Sequence, residues 1–228
     1  MTVTTANPID QLGPLLTRLT GDRKHLPSAT STMDVLWVLY DRILRITPET
    51  VDAPDRDRFF LSKGHGPAAY YAVLAAKGFI PVDWLDHAGE WDSRLGWHPD
   101  RVLIPGVEIG TGSLGHGLGL AVGAALGLRA QGYLDTRTYV LLGDAELDEG
   151  SNHEAIAYAA AVRLPITAIV IDNQSATHGW PGGIAARFAG WDVSIVDGRD
   201  HDQVFRALER RDRDRPYVVV AGVERKFG

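Results

Sequence analysis

The chain has 228 residues, 45% of them apolar and 23% charged, with a net charge of −6. That size and composition fit one sizeable soluble domain, and the acidic balance argues against general nucleic-acid or membrane-surface binding, which needs an excess of Lys and Arg. With no cysteine in the sequence, disulfides, thiolate zinc sites and a cysteine nucleophile are excluded as well.

Met1 to Gly13 has no basic start followed by an apolar run, so no signal peptide is read there. No apolar run approaches the roughly 20 residues of a membrane span, and a cytoplasmic protein is expected. Leu12 to Leu19 is apolar-periodic and predicts a short helix, and Met33 to Ile46 a stronger one. Pro48 to Arg58 reads as a loop and Phe59 to Leu61 as a short apolar run ending at Ser62-Lys63-Gly64-His65-Gly66. Pro67 then opens a helix to Ala76 that Gly78 closes. Gly106 to Gly119 is rich in glycine, and the small residues as far as Gly127 predict a closely packed helix. Packing and turn geometry are the ordinary reasons for glycines such as Gly117, Gly119 and Gly123.

Strands are expected at Thr138–Leu142, Ile166–Ile171, Val193–Val196 and Tyr217–Ala221. Helices are expected at Asn152–Val162, where Ser151 and Glu154 have capping-box spacing, and at Asp202–Arg210. Strands alternating with helices give an α/β fold, a mostly parallel sheet flanked by helices on both faces. No repeat and no dividing linker is present, so residues 1–228 are read as a single domain.

The most informative stretch is Gly143-Asp144-Ala145-Glu146 followed, after one further strand, by Asn173-Gln174. Loops at the carboxyl ends of strands line the ligand crevice of an open α/β sheet, so these two segments can face each other. A carboxylate, an amide oxygen, a backbone carbonyl and two phosphate oxygens suit a hard cation such as Mg²⁺. An Asp at a strand end also caps the next turn, and the residues alone leave both readings open.

Gly143-Asp144-Ala145 … Asp172-Asn173-Gln174 resembles the thiamine-diphosphate motif of the transketolase superfamily, and Gly143 to Gly150 with Glu154-Ala155 resembles transketolase itself. The likeness continues in Asp57 to His65, in Ser93-Arg94 … His98-Pro99, in Gly106-Val107-Glu108 … Thr111 to Gly115, in Gly190-Trp191 … Asp197-Gly198, and in Lys226-Phe227-Gly228. It implies a thiamine-diphosphate-binding fold with thiamine diphosphate and Mg²⁺ or Ca²⁺ as cofactors. Metal ligands would be Asp144, Gln174 in place of the family's last Asn, and the Ala176 carbonyl. Gly143, Ala145, Gly112, Ser113, Leu114 and His65 would complete the cofactor site. Ala145 replaces a family glycine and is strained if the position needs a positive φ. His65, His98 and His25 would serve catalysis, and Glu149 a carboxylate relay at the subunit interface. Glu146 and Asp148 are expected to be solvated or capping charges, and the role of His116 is open.

The resemblance covers only the family's diphosphate-binding part. It implies a two-chain transketolase, active only with a C-terminal subunit carrying the pyrimidine-binding and C-terminal domains, in an α2β2 assembly. Such an enzyme moves a two-carbon ketol unit from a ketose to an aldehyde. The short Ser175–Ala189 connection, with a reversal at Trp180-Pro181-Gly182-Gly183, hints at an unusual acceptor. Alternatives are a 2-oxo acid decarboxylase or acyl-transfer subunit, and a non-catalytic cofactor-binding subunit.

Overall fold

Five apolar runs become the strands of one wholly parallel sheet in the computed structural model, which describes residues 8–19, 26–65, 67–176, 178–210 and 214–225. The strands are β1 (Arg58–Leu61), β2 (Thr138–Gly143), β3 (Ile166–Asp172), β4 (Asp192–Asp197) and β5 (Tyr217–Gly222), in the spatial order β1-β2-β3-β5-β4. β2, β3 and β5 are buried almost throughout, as expected of central parallel strands covered on both faces. β4 alternates half-buried with exposed residues because it closes one edge.

Helices α1 (Leu12–Arg18), α2 (Leu26–Val38), α3 (Ala68–Ala76) and α7 (His201–Leu208) cover one face, against Phe59, Leu61, Tyr139, Leu141, Ile169, Ile171 and Val219. α4 (Gly117–Ala130) and α5 (Gly150–Ala161) cover the other with Phe188 and Trp191, against Phe60, Val140, Leu142, Ala168, Val170 and Val218. α6 (Gly183–Ala186) is a single turn. Successive strand residues thus supply the two cores in turn, as the two-residue period of a strand requires. α5 and α7 lie on opposite faces because β2→β3 and β4→β5 run in opposite directions across the sheet, and each crossover keeps its right hand.

Several expectations shift at this level. α2 begins at Leu26, well before Met33, and ends in a π-helical turn at Leu39–Ile43. Gly78 ends α3 in a left-handed conformation (φ +77°), in agreement with the sequence. Helix packing accounts for Gly117, whose Cβ would overlap Ser62, but a Cβ at Gly119 or Gly123 would meet open space. Ser151 does not cap α5: the N-cap is Glu149, with no side-chain bond, and the Ser151 hydroxyl donates to the Gly115 carbonyl at 2.9 Å. Trp180–Gly183 does reverse the chain: the Gly183 N–H donates to the Trp180 carbonyl, and Gly182 and Gly183 both have positive φ. No helix among the described residues is long and apolar enough to cross a membrane. His25 and Lys226-Phe227-Gly228 lie outside the described residues.

Candidate functional site

At the carboxyl end of β2 the chain turns into one 3-10 turn, Ala145–Asp148, and Asp144 is its N-cap. The Asp144 carboxylate is buried and accepts four hydrogen bonds from the described residues. Its Oδ1 takes the Ala145 N–H (2.9 Å) and the Ser175 hydroxyl (2.6 Å). Its Oδ2 takes the N–H groups of Ser175 (2.6 Å) and Ala176 (3.2 Å). The sequence predicts this carboxylate opposite the loop after β3, and the two do meet there. Ala145 has no positive φ, so the strain expected of an alanine at this position is absent. A Cβ on Gly143 would stand 3.4 Å from the aliphatic carbons of Lys63, which runs across the strand end.

The amide buried in this loop is that of Asn173. It is 1% exposed, and neither its Nδ2 nor its Oδ1 has a hydrogen-bond partner among the described residues. Gln174, the expected ligand, has φ +54° and is exposed. The physical reason is a side-chain turn: the Gln174 N–H donates to Asp172 Oδ1 at 3.1 Å, and the left-handed residue that follows from it swings its side chain outward. A buried amide with no partner costs about 1–3 kcal/mol, so both polar atoms of Asn173 are disposed to accept a further partner.

His65 and His98 come together at the carboxyl end of β1, their ring centroids 6.2 Å apart. Both rings are exposed, and His98 Nδ1 lies 3.2 Å from Thr111 Oγ1. Gly64 and Gly112 (φ +124°) make room for this pair: a Cβ on Gly64 would stand 2.9 Å from His98 Nδ1, and one on Gly112 3.7 Å from the ring. Ser113 and Leu114 are exposed beside them, and the Ser113 hydroxyl is 2.8 Å from His116 Nδ1. Glu149 is exposed and packs over Gly115, where an added Cβ would stand 2.5 Å from its own.

Three polar residues of the site have no signal in the sequence. Glu146 is buried, not solvated, and burial pushes its carboxyl up to about 8, against smaller opposing effects of Ser62 and Lys63. Asn152 lies beneath it, donating from Nδ2 to the Glu146 carbonyl at 2.6 Å. Arg187 is buried and donates to the Leu147 carbonyl (2.6 Å), the Asp148 carboxylate (2.8 Å) and the His178 carbonyl (3.1 Å). It therefore ties the turn after Asp144 to the segment beyond Ala176. No local pattern marks Arg187, because its partners in that turn are some forty residues away in sequence.

Residues 21–223 match the family described as "Transketolase, thiamine diphosphate binding domain". Ferredoxin fas2 of Rhodococcoides fascians is 56% identical over 220 residues, covering 95% of this chain and 72% of that protein. An apulose-4-phosphate transketolase subunit of Actinobacillus succinogenes is 37% identical over 214 residues, covering 90% of this chain and 77% of the relative. A transketolase mutant from Pichia stipitis superposes with a TM-score of 0.78 at 25% identity over 96% of this chain. The chain spans only 37% of the length of that solved transketolase. By its sequence and by its fold, the chain belongs to the transketolase family and corresponds to that family's thiamine diphosphate-binding domain.

Proposed function

We propose that this chain is the diphosphate-binding subunit of a two-chain, cytoplasmic transketolase that moves a two-carbon ketol unit from a ketose to an aldehyde. The observation that carries the reading is the meeting of the buried Asp144 carboxylate with the loop holding the unsatisfied Asn173 amide. Hard oxygen donors of this kind would suit Mg²⁺ or Ca²⁺, which would offset the charge of a diphosphate. Asp144 and Asn173 would hold the cation with a backbone carbonyl of the turn at 174–176, and Asn173 takes the role that the sequence assigns to Gln174. When bound, thiamine diphosphate supplies the carbanion chemistry of two-carbon transfer, while the protein binds and orients.

The other residues have roles that follow from where they stand. Lys63, whose aliphatic carbons cross the Gly143 strand end and whose Nζ lies 3.4 Å from Thr32 Oγ1, would help balance the charge of a diphosphate. His98 commits Nδ1 to Thr111, which leaves Nε2 to exchange a proton with a substrate hydroxyl. His65, with its ring beside that of His98, would steer the same hydroxyls. Gly112, Ser113 and Leu114 would line the cofactor on that side.

A partner chain is part of the proposal, because two relatives are themselves named as subunits of an apulose-4-phosphate transketolase and both histidine rings of the site are exposed. Trp97, next to His98 in the chain, and Leu114, next to Ser113, expose large apolar surfaces. Exposed apolar groups gathered around a site favour an interaction surface. The partner would be a C-terminal transketolase subunit carrying the pyrimidine-binding domain, in an α2β2 assembly with Glu149 at the contact between like chains. Thermal denaturation tests the reading, since a ligand that binds only the folded state raises the midpoint. With the partner present, thiamine diphosphate and Mg²⁺ together should raise it, and Asp144→Ala should abolish the rise. An unchanged midpoint in the assembled complex would sink the proposal.

A further inference from the structure

A carboxylate offers about four lone-pair positions, and hydrogen bonds fill all four at Asp144. Three of the donors are backbone N–H groups, fixed by the turn at 145 and by the loop at 175–176. The fourth is the Ser175 hydroxyl, 2.6 Å from Oδ1, and it is the only side-chain donor among the described residues. A cation that ligates Asp144 has to displace one of these four. Removing a backbone N–H means moving the loop, whereas the hydroxyl leaves by rotation about one side-chain bond.

We infer that Ser175 is a latch on the metal carboxylate: in the cation-free chain its hydroxyl holds the lone pair that the cation takes, and so it sets the cation's affinity. The inference rests on the reading of Asp144 as a metal ligand and adds a competitor within this chain. Three consequences separate a latch from a residue that merely supports the loop. Ser175→Ala keeps both backbone N–H donors and removes only the competitor, so it tightens cation binding. Ser175→Thr keeps a hydroxyl and returns the affinity to that of the wild type. Without cation, Ser175→Ala loses one charge-assisted bond and melts slightly lower, while the cation-loaded variant does not.

The test is titration of the chain, assembled with its partner, with Mn²⁺ in the presence of thiamine diphosphate, with free Mn²⁺ read by its electron paramagnetic resonance signal. Ser175→Ala should lower the apparent Kd by roughly three- to tenfold, the worth of one net hydrogen bond. Ser175→Thr should match the wild type. If the wild type binds and Ser175→Ala binds equally or more weakly, the latch is refuted and the proposed function stands. If neither the wild type nor Asp144→Ala binds Mn²⁺, the metal reading and the latch fall together.

Discussion

Gly64 lies directly against the imidazole of His98: a Cβ added to Gly64 would stand 2.9 Å from His98 Nδ1 and 3.0 Å from Thr111 Oγ1. Real Cβ atoms do not approach so closely, so the histidine can hold its place only over a glycine. Gly64→Ala should therefore displace the His98 ring and break its contact with Thr111. In the assembled enzyme we expect two-carbon transfer to fall by roughly ten- to a hundredfold, as slight misplacement of a reacting group does. The melting temperature should change little, since both histidine rings are exposed. Unchanged turnover would remove His98 from the chemistry.

Asp57, at the start of β1, is fully buried and shared by two arginines. It accepts from the Arg45 N–H (2.9 Å) and guanidinium (2.9 Å), and from the Arg137 N–H (3.0 Å) and Nε (2.9 Å). Burial pushes its carboxyl up, but these bonds more than offset that and hold it below its ordinary 3.8. A depressed carboxyl stabilises the fold above its unfolded pKa, and that contribution is lost as pH falls through the folded one. Asp57→Asn should cost about 2–4 kcal/mol at neutral pH, with the gap to the wild type closing in acid. Urea unfolding across pH measures both, and a gap independent of pH would contradict the account.

Glu146 has the opposite sign. Its folded carboxyl keeps a proton up to about pH 8, whereas its ordinary value is 4.5. Between those values the unfolded chain is ionised and the folded one is not, so stability falls as pH rises through the window and then levels. In EDTA, Glu146→Gln should flatten this slope and exceed the wild type at pH 8 by an amount on the order of a few kcal/mol. A variant less stable than the wild type at that pH would refute the buried protonated carboxyl.

Arg187 joins the turn that follows Asp144 to the His178 carbonyl, and its guanidinium stands 5.0 Å from the Trp180 ring. Arg187→Ala leaves the Leu147 carbonyl without this donor and should destabilise the chain by about 2–4 kcal/mol. Arg187→Lys should not restore it, because an ammonium cannot serve three acceptors spread along a planar fork. Weakened thiamine diphosphate binding in both variants, read by calorimetry, would show that the two loops act together; unchanged binding would confine Arg187 to stability.

The parallel sheet was legible because Tyr139–Leu142, Ile166–Ile171 and Tyr217–Ala221 are apolar runs too short for helices and bounded by turn residues. Asp144 and the histidine segments were legible through motifs that keep their order. What escaped depended on contacts distant in sequence. The first two turns of α2 carry Ser28, Thr30, Ser31 and Thr32, with no apolar period to announce a helix, yet Ser31 and Thr32 are buried by the tertiary fold. Ser151 has the spacing of a capping box, but Gly115 claims its hydroxyl. Glu146 looks solvated between Asp144 and Asp148 until the tertiary fold buries it beside Ser62 and Lys63. The choice between Asn173 and Gln174 turns on Asp172, whose side-chain turn sends one amide inward and the other out. An Asp just before an amide pair was the one local signal available.

Isothermal titration of thiamine diphosphate with Mg²⁺, into the chain assembled with its partner, compares Asn173→Ala with Gln174→Ala most directly. Asn173→Ala should abolish measurable binding, as Asp144→Ala should, and Gln174→Ala should bind as the wild type. Normal binding by Asn173→Ala, or loss confined to Gln174→Ala, would contradict a diphosphate anchor built on Asp144 and Asn173.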